Sequence, residues 1–198
     1  GQKTYNGVAI LSRHPLRDVV RNIPGHTDEQ ARVIAATMDT PAGELRLVNC
    51  YFVNGQAPGT DKFAYKMLWL TALHRWLREE LLAHPRLALV GDFNVAPEDR
   101  DSFDPVGLKD TIHHTVEERQ HFQDLIALGL TDTFRMFEQP EKSYSWWDYR
   151  MLGFQKNRGL RIDHILVSEA LRASVTACTI DRAPRKNPQP SDHAPVVV

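Results

Sequence analysis

Short runs of apolar residues, each closed by glycine, proline, asparagine or aspartate, recur along the chain and predict β-strands. The predicted strands cover residues 7–11, 32–38, 44–51, 87–90, 161–167, 175–180 and 196–198. Pro41-Ala42-Gly43 separates the second strand from the third, which predicts a hairpin. Residues 16–31 are polar and contain Pro24 and Gly25, so we expect a loop there.

Two longer segments have the period of a helix instead. Apolar residues recur at steps of three, four or seven positions over residues 62–83, with Asp61 as the expected N-cap and Pro85 after the end. A second helix is predicted over residues 116–128, between Thr115 and Gly129. This mixture of strands and helices indicates an α/β (α+β) protein.

Composition places the chain among ordinary globular domains. It has 198 residues, 42% hydrophobic and 25% charged, which fits one domain over residues 1–198. The net charge is -1, so any affinity for nucleic acid must come from local patches. Arg150, Lys156, Arg158 and Arg161 form one such patch, which fits either phosphate contacts or solvated loop charge.

Cysteine usage and hydropathy bear on location. Cys50 and Cys178 lie among apolar neighbours without metal-ligand spacing, so we expect reduced core thiols in a cytoplasmic protein. No apolar stretch has the length of a membrane span and no signal peptide is recognisable, so we expect no membrane partner. An acidic loop at residues 98–104 is expected to carry solvated charge.

The strand ends carry the candidate chemistry. Asp92 and Asn94 follow a buried strand, where they are either site residues at the carboxyl edge of a sheet or simple turn formers. Further polar groups follow other strands, and carboxylate and amide oxygens with one histidine suit magnesium or manganese better than zinc. The full set is Tyr51, Asn54, Asp92, Asn94, Asp163, Asp192 and His193.

Three motifs in this order resemble the exonuclease III and AP endonuclease branch of the endonuclease/exonuclease/phosphatase superfamily. They are Gly91-Asp92-Phe93-Asn94, Arg158-Gly159-Leu160-Arg161-Ile162-Asp163 and Ser191-Asp192-His193-Ala194-Pro195. The resemblance implies a four-layer α/β sandwich, in which two mixed sheets pack together and helices lie outside. It also implies that two N-terminal strands of the family are missing, so we expect an N-terminally truncated domain.

The resemblance implies a role for each site residue. Asp92 would handle the proton of the attacking water or leaving group, Asn94 would stabilise the transition state, and Asp163 would orient His193. Tyr51 and His193 would contact the scissile phosphate. The metal, Mg²⁺ or Mn²⁺, would be held by Asp92, Asn94, Asp192 and His193, and the substrate would be bound by Asn54, Trp146, Arg150, Asn157 and Arg158.

The implied function is a metal-dependent DNA repair nuclease, either a 3′ to 5′ exonuclease, an AP endonuclease or both. Double-stranded DNA with abasic sites or 3′ ends would be its partner, and we expect a monomer. The alternatives are another phosphodiester or phosphomonoester substrate, or a DNA-binding fragment without catalysis. For two residues the alternative to a functional role is a structural one, with Arg161 in the core beside a carboxylate and Trp147 as a core aromatic. His113 and His114 are expected to be exposed loop histidines.

Overall fold

The computed structural model describes residues 1–3 and 6–198, and a six-stranded mixed sheet forms its centre. The strands of this sheet lie in the order β1-β2-β3-β4-β6-β5, and β7 and β8 form a separate two-stranded sheet. The strands are β1 Arg17–Arg21, β2 Val33–Thr40, β3 Gly43–Tyr51, β4 Leu87–Asp92, β5 Leu130–Asp132, β6 Asp163–Ser168, β7 Thr179–Ile180 and β8 Val196–Val197. The α-helices are α1 Asp61–Ala83, α2 Val116–Ala127 and α3 Glu169–Arg172.

The register of the sheet follows from its connections. The predicted hairpin joins β2 to β3 antiparallel, with Thr40 opposite Gly43. Helix α1 then returns the chain so that β4 lies parallel to β3, and β6 pairs antiparallel with the other side of β4. Because β3, β4 and β6 are neighbours, residues at their ends are brought together at one edge.

The main core lies between this sheet and the first two helices. Trp69, Leu73 and Leu77 of α1 are buried against the same cluster as Leu89 and Leu166 of the sheet. Burial of such side chains, each stabilising by roughly 1.5–3 kcal/mol, holds α1 across the β3–β4 crossover. A second apolar cluster covers the opposite face around Ala88, Val167 and Leu171. None of the helices in the described part of the chain has the length and apolar character needed to cross a membrane.

Both long helices predicted from the sequence are confirmed, with one correction at a cap. Thr115 caps α2 through a capping box with Glu118, as expected from the sequence. Helix α1 is capped by Thr60, whose hydroxyl accepts a hydrogen bond from the N–H of Phe63, and not by Asp61. Asp61 instead lies in the first turn, where its charge favours the positive end of the helix dipole.

Two strand predictions and one loop prediction are wrong in detail. Residues 7–11 form no strand, and the carbonyl of Ala9 accepts the side-chain amide of Asn49. The predicted loop at residues 16–31 contains β1, a mostly exposed edge strand that lacks the apolar alternation of a half-buried one. Only Thr179–Ile180 of the predicted strand 175–180 is paired. The α/β class, with a mixed sheet, a second small sheet and outer helices, is confirmed.

Candidate active site at the ends of three strands

Tyr51, Asp92 and Asp163 lie side by side across three neighbouring strands. Tyr51 is in register with Asp92 between β3 and β4, and Asp92 is in register with Asp163 between β4 and β6. Side chains in register on adjacent strands point to the same face of a sheet. The strand pairing therefore places a phenol and two carboxylates in one row at the edge.

His193 reaches this row from the C-terminal segment. Its Nδ1 lies 2.9 Å and 3.0 Å from the two carboxylate oxygens of Asp163, and its Nε2 lies 4.0 Å from Oδ2 of Asp92. Burial disfavours the imidazolium, but the hydrogen bond to Asp163 and the surrounding carboxylates outweigh it and raise the pKa of His193 to about 9. At neutral pH the ring is therefore a cation whose orientation Asp163 fixes.

Asp92 is the central carboxylate of the row. Burial, and then the charge of Asp163, raise the pKa of Asp92 to about 7. One of its oxygens accepts the backbone N–H of Asn94 at 2.9 Å, which fixes the carboxylate in the turn after β4. A carboxyl group that titrates near neutral pH can both accept and return a proton during a reaction.

Asn94 and Asn54 join the ends of β4 and β3. The amide nitrogen of Asn94 donates to the carbonyl of Phe52 at 3.1 Å and lies 3.2 Å from Oδ2 of Asp92. The amide of Asn54 donates to Oδ1 of Asn94 at 3.1 Å. Asn94 is buried while Asn54 is exposed, so the pair runs from the interior to the surface of the site.

The phenol of Tyr51 completes the group. The guanidinium of Arg32 lies over its ring, 5.0 Å from the centroid. Burial, and then the charge of Asp92, raise the pKa of Tyr51, so its hydroxyl remains a neutral hydrogen-bond donor. A neutral phenol, a cationic imidazole and a carboxyl group near its pKa together can bind an anionic group and transfer a proton beside it.

The donor atoms fit a hard divalent cation. Among the described residues, ligand atoms of Asp92, Asp163 and His193 all lie within 4.8 Å of one another. Asp192 is not in this group, and its Oδ2 accepts the indole N–H of Trp146 at 3.0 Å. The imidazolium of His193 has no free lone pair, but the two carboxylates are hard oxygen donors of the kind that Mg²⁺ or Mn²⁺ prefers, so the residues present are chemically compatible with such an ion.

A cavity of about 520 Å³ adjoins the site at Trp146, which forms a β-bridge with His193. Trp146, Arg150 and Arg158 line it, together with apolar side chains such as Leu160. Asn157 is used elsewhere, since its amide oxygen accepts the indole N–H of Trp147 at 3.1 Å and its amide nitrogen donates to Lys142. The structure thus brings three of the five predicted substrate contacts to one cavity, places Asn54 next to Asn94, and separates Asn157.

Two alternatives from the sequence are settled by burial. Trp147 is fully buried and packs edge to face on Phe154, so it is a core aromatic. Arg161 is also buried, and its guanidinium pairs with Asp101 at 2.6 Å and with Asp132 at 2.8 Å. The acidic loop therefore does not carry only solvated charge, because Asp101 is fully buried as the partner of Arg161.

Sequence reasoning missed several residues that support the site. The buried hydroxyl of Ser145 accepts hydrogen bonds from the N–H groups of Ile162 and Asp163, and so fixes the start of β6. His113 is half-buried and not exposed, with its Nδ1 2.6 Å from the carbonyl of Asn94. His114 is buried as well. The adjacent histidines were the one local signal available, whereas nothing local to Ser145 indicated its contacts.

Comparison with known proteins agrees with this geometry. The profile of the Endonuclease/Exonuclease/phosphatase family matches residues 1–193. Exodeoxyribonuclease III of Haemophilus influenzae is 35% identical over 209 aligned positions, which cover 99% of this chain and 77% of the relative. The structure of a 3′ phosphatase from Neisseria bound to a product DNA hairpin has a TM-score of 0.95 at 47% identity, covering 99% of this chain and 75% of that one.

A more distant structure shares the same architecture. An AP endonuclease from Archaeoglobus fulgidus has a TM-score of 0.85 and 28% identity, covering 92% of this chain and 70% of that chain. The family match over residues 1–193 includes Tyr51, Asp92, Asp163 and His193. The chain therefore belongs to the endonuclease/exonuclease/phosphatase family, in the branch that contains exonuclease III and the AP endonucleases.

Proposed function

We propose that this chain is a metal-dependent DNA repair nuclease that hydrolyses phosphodiester bonds at 3′ ends or at abasic sites. The observation that carries the proposal is the in-register row of Tyr51, Asp92 and Asp163, closed by His193 at 2.9 Å from Asp163. A cation, a neutral donor and a carboxyl group near its pKa match the needs of in-line attack by water on a phosphate. The relatives named as exodeoxyribonuclease III and AP endonuclease support the same reaction.

In this mechanism the chain binds the scissile phosphate through His193 and Tyr51. Asp163 keeps the imidazolium oriented, and Asp92 accepts the proton of the attacking water. Asn94 lies in reach of Asp92 and stabilises charge on the phosphoryl oxygens. Mg²⁺ or Mn²⁺, which the neighbouring carboxylates of Asp92 and Asp163 would hold, would supply further stabilisation of that charge.

The substrate side of the proposal rests on the cavity next to the row. Trp146 offers an aromatic surface to a terminal or abasic nucleotide, and the exposed side chains of Arg150 and Arg158 offer positive charge to the flanking phosphates. These local charges compensate for a net charge of -1. Binding to duplex DNA should therefore weaken with added salt, and Arg158→Ala should lower the salt slope by about 1.

The direct test is cleavage of a duplex containing one abasic-site analogue, and of a duplex with a recessed 3′ end, with and without Mg²⁺. We expect Mg²⁺-dependent products and a loss of about 100-fold or more in Asp92→Asn, since the general base is removed. Asp99→Asn is the matched control, because it makes the same change in an exposed carboxylate. Full activity of Asp92→Asn would refute the proposed role, and duplex binding without any cleavage would favour the non-catalytic alternative.

A second candidate is removal of a phosphomonoester from a DNA 3′ end. The observation that favours it is the 47% identity to a protein described as a 3′ phosphatase bound to a DNA hairpin. The same row of residues serves both reactions, because both are attacks by water on phosphorus. Release of inorganic phosphate from a hairpin with a 3′ phosphate, at a higher kcat/KM than abasic incision, would identify this reaction as the main one.

A further inference from the structure

Lys66 is a buried cation next to the candidate site, which it contacts through backbone carbonyls. It is in the second turn of α1, and its side chain has no exposed surface. The ammonium donates to the backbone carbonyl of Asn94 at 2.8 Å and to that of Asn54 at 3.2 Å. One side chain of the helix therefore holds the chain just after β3 and just after β4.

The charge of Lys66 is neutralised by Glu118 of α2. Glu118 is also fully buried, and its carboxylate pairs with the ammonium while accepting the N–H and hydroxyl of Thr115. A cation that served stability alone could be replaced by an apolar side chain, because burying two charges costs free energy that their attraction only partly offsets. An apolar side chain could not reproduce the hydrogen bonds that Lys66 donates to the carbonyls of Asn54 and Asn94.

The turn at Asn94, which Lys66 holds, has a defined backbone conformation. Asn94 adopts a left-handed backbone conformation, with φ of 50°, which asparagine tolerates better than most residues other than glycine. Its carbonyl oxygen accepts from Lys66 and contacts Nδ1 of His113, so the turn is clamped from two sides. A Cβ atom added to Gly55 would lie 2.9 Å from Cδ of Lys66, which shows how closely the lysine passes beneath the Asn54 loop.

We propose that Lys66 is a positioning residue, which aligns Asn54 and Asn94 with Asp92 by fixing the carbonyl groups of both loops. The inference rests on the proposed hydrolysis for its kinetic consequences, but the alignment is a property of the fold and can be measured without cleavage. Displacement of groups near the reacting atoms by about 1 Å is sufficient to cost roughly 100-fold in rate. Loss of Lys66 should therefore lower kcat by a larger factor than it raises KM for the DNA substrate.

The kinetic test separates alignment from stability. Lys66→Met alone leaves the buried carboxylate of Glu118 without a compensating cation and destabilises the fold, so the informative protein is Lys66→Met combined with Glu118→Gln. This pair of changes removes both charges and retains an acceptor for the N–H of Thr115. Leu77→Ala, in the same helix but in the apolar core, is the control for stability loss.

We expect the double variant to fold and bind duplex DNA, with kcat about 100-fold below wild type, whereas Leu77→Ala keeps its kcat at temperatures where it is folded. A double variant with wild-type kcat would overturn the proposal.

The second test does not depend on activity. The side-chain amide signals of Asn54 and Asn94 and the indole N–H of Trp146 can be followed by ¹H–¹⁵N NMR in each variant. We expect the two asparagine signals to shift or broaden in the double variant and to stay in place in Leu77→Ala. Unchanged asparagine signals in the double variant would overturn the positioning role. Absence of cleavage by the wild-type chain would instead count against the proposed function, and the NMR comparison would then decide the role of Lys66 by itself.

Discussion

The buried imidazole of His164 gives the fold a pH dependence that can be calculated. Its Nε2 lies 3.1 Å from the carbonyl of Val95, and its Nδ1 lies 3.1 Å from Nη1 of Arg161. The ring is therefore neutral, with Nε2–H donating and Nδ1 accepting, and a second proton would face the guanidinium. Burial, and then the charge of Arg161, lower the pKa of His164 from 6.5 to about 4.

The sign follows from comparing the folded and unfolded chains. Between pH 6.5 and 4 the unfolded chain protonates this histidine while the folded chain does not, so stability falls as the pH falls through that window. Linkage gives a loss of about 1 kcal/mol between pH 8 and pH 5.5, and roughly 3 kcal/mol once both states are protonated. Above pH 6.5 the histidine is neutral in both the folded and the unfolded chain, so its contribution to stability is fully present.

Asp92 and His193 change the stability with pH in the direction opposite to His164. The effect of His164 must therefore be measured as the difference between wild type and a variant. The raised pKa values of Asp92, about 7, and His193, about 9, mean that the folded chain holds those protons more tightly, and that stability is lost as the pH rises through 3.8–7 and 6.5–9 respectively. Urea unfolding followed by tryptophan fluorescence should be measured from pH 8 to 5.5 for wild type and His164→Gln. The variant is less stable at pH 8, and we expect its deficit to shrink by about 1 kcal/mol at pH 5.5. A deficit that stays constant over this range would refute the reasoning.

Three further predictions concern stability and can be measured by the same urea unfolding. Asp101→Ala removes the buried partner of Arg161 and should cost about 3–5 kcal/mol, so wild-type stability in this variant would contradict the buried pair. Gly91→Ala should cost about 3 kcal/mol or more, since its Cβ would lie 1.9 Å from the carbonyl oxygen of Cys50. A loss within about 0.5 kcal/mol, which is the usual range for surface substitutions, would mean that β3 and β4 separate easily at this position. Thr115→Ala removes the cap of α2 and should cost about 1 kcal/mol, whereas an unchanged midpoint would show that the cap contributes nothing.

The elements that the sequence predicted well are those with a local signal. Helix α1 has an uninterrupted amphipathic period, and the β2–β3 hairpin has Pro41-Ala42-Gly43 between two apolar runs. Both patterns depend only on neighbouring residues, so tertiary contacts did not alter them. β1 has no such pattern, since it is an edge strand that forms because β2 offers it a free edge.

The candidate site also combines features with a local sequence signal and features that depend on the fold. The polar residues at strand ends could be identified one by one, but the row of Tyr51, Asp92 and Asp163 exists only through the register of three strands. Charged residues were the hardest to place, because the burial of Asp101 depends on Arg161, which lies 60 positions away along the chain. A lone charge in a sequence predicts solvent exposure, and only the folded chain shows that it has a partner.

The attachment of the C-terminal segment has a consequence for how the protein loses function. His193 is carried by a segment that pairs through the two-residue strands β7 and β8 and through backbone hydrogen bonds to Ser145 and Trp147. The central sheet does not depend on these bonds, so the segment can detach in a subglobal opening that costs less free energy than complete unfolding. Amide protons of Trp147 and Ala194 should exchange with solvent sooner than those of β4, and heat should inactivate the protein before it melts.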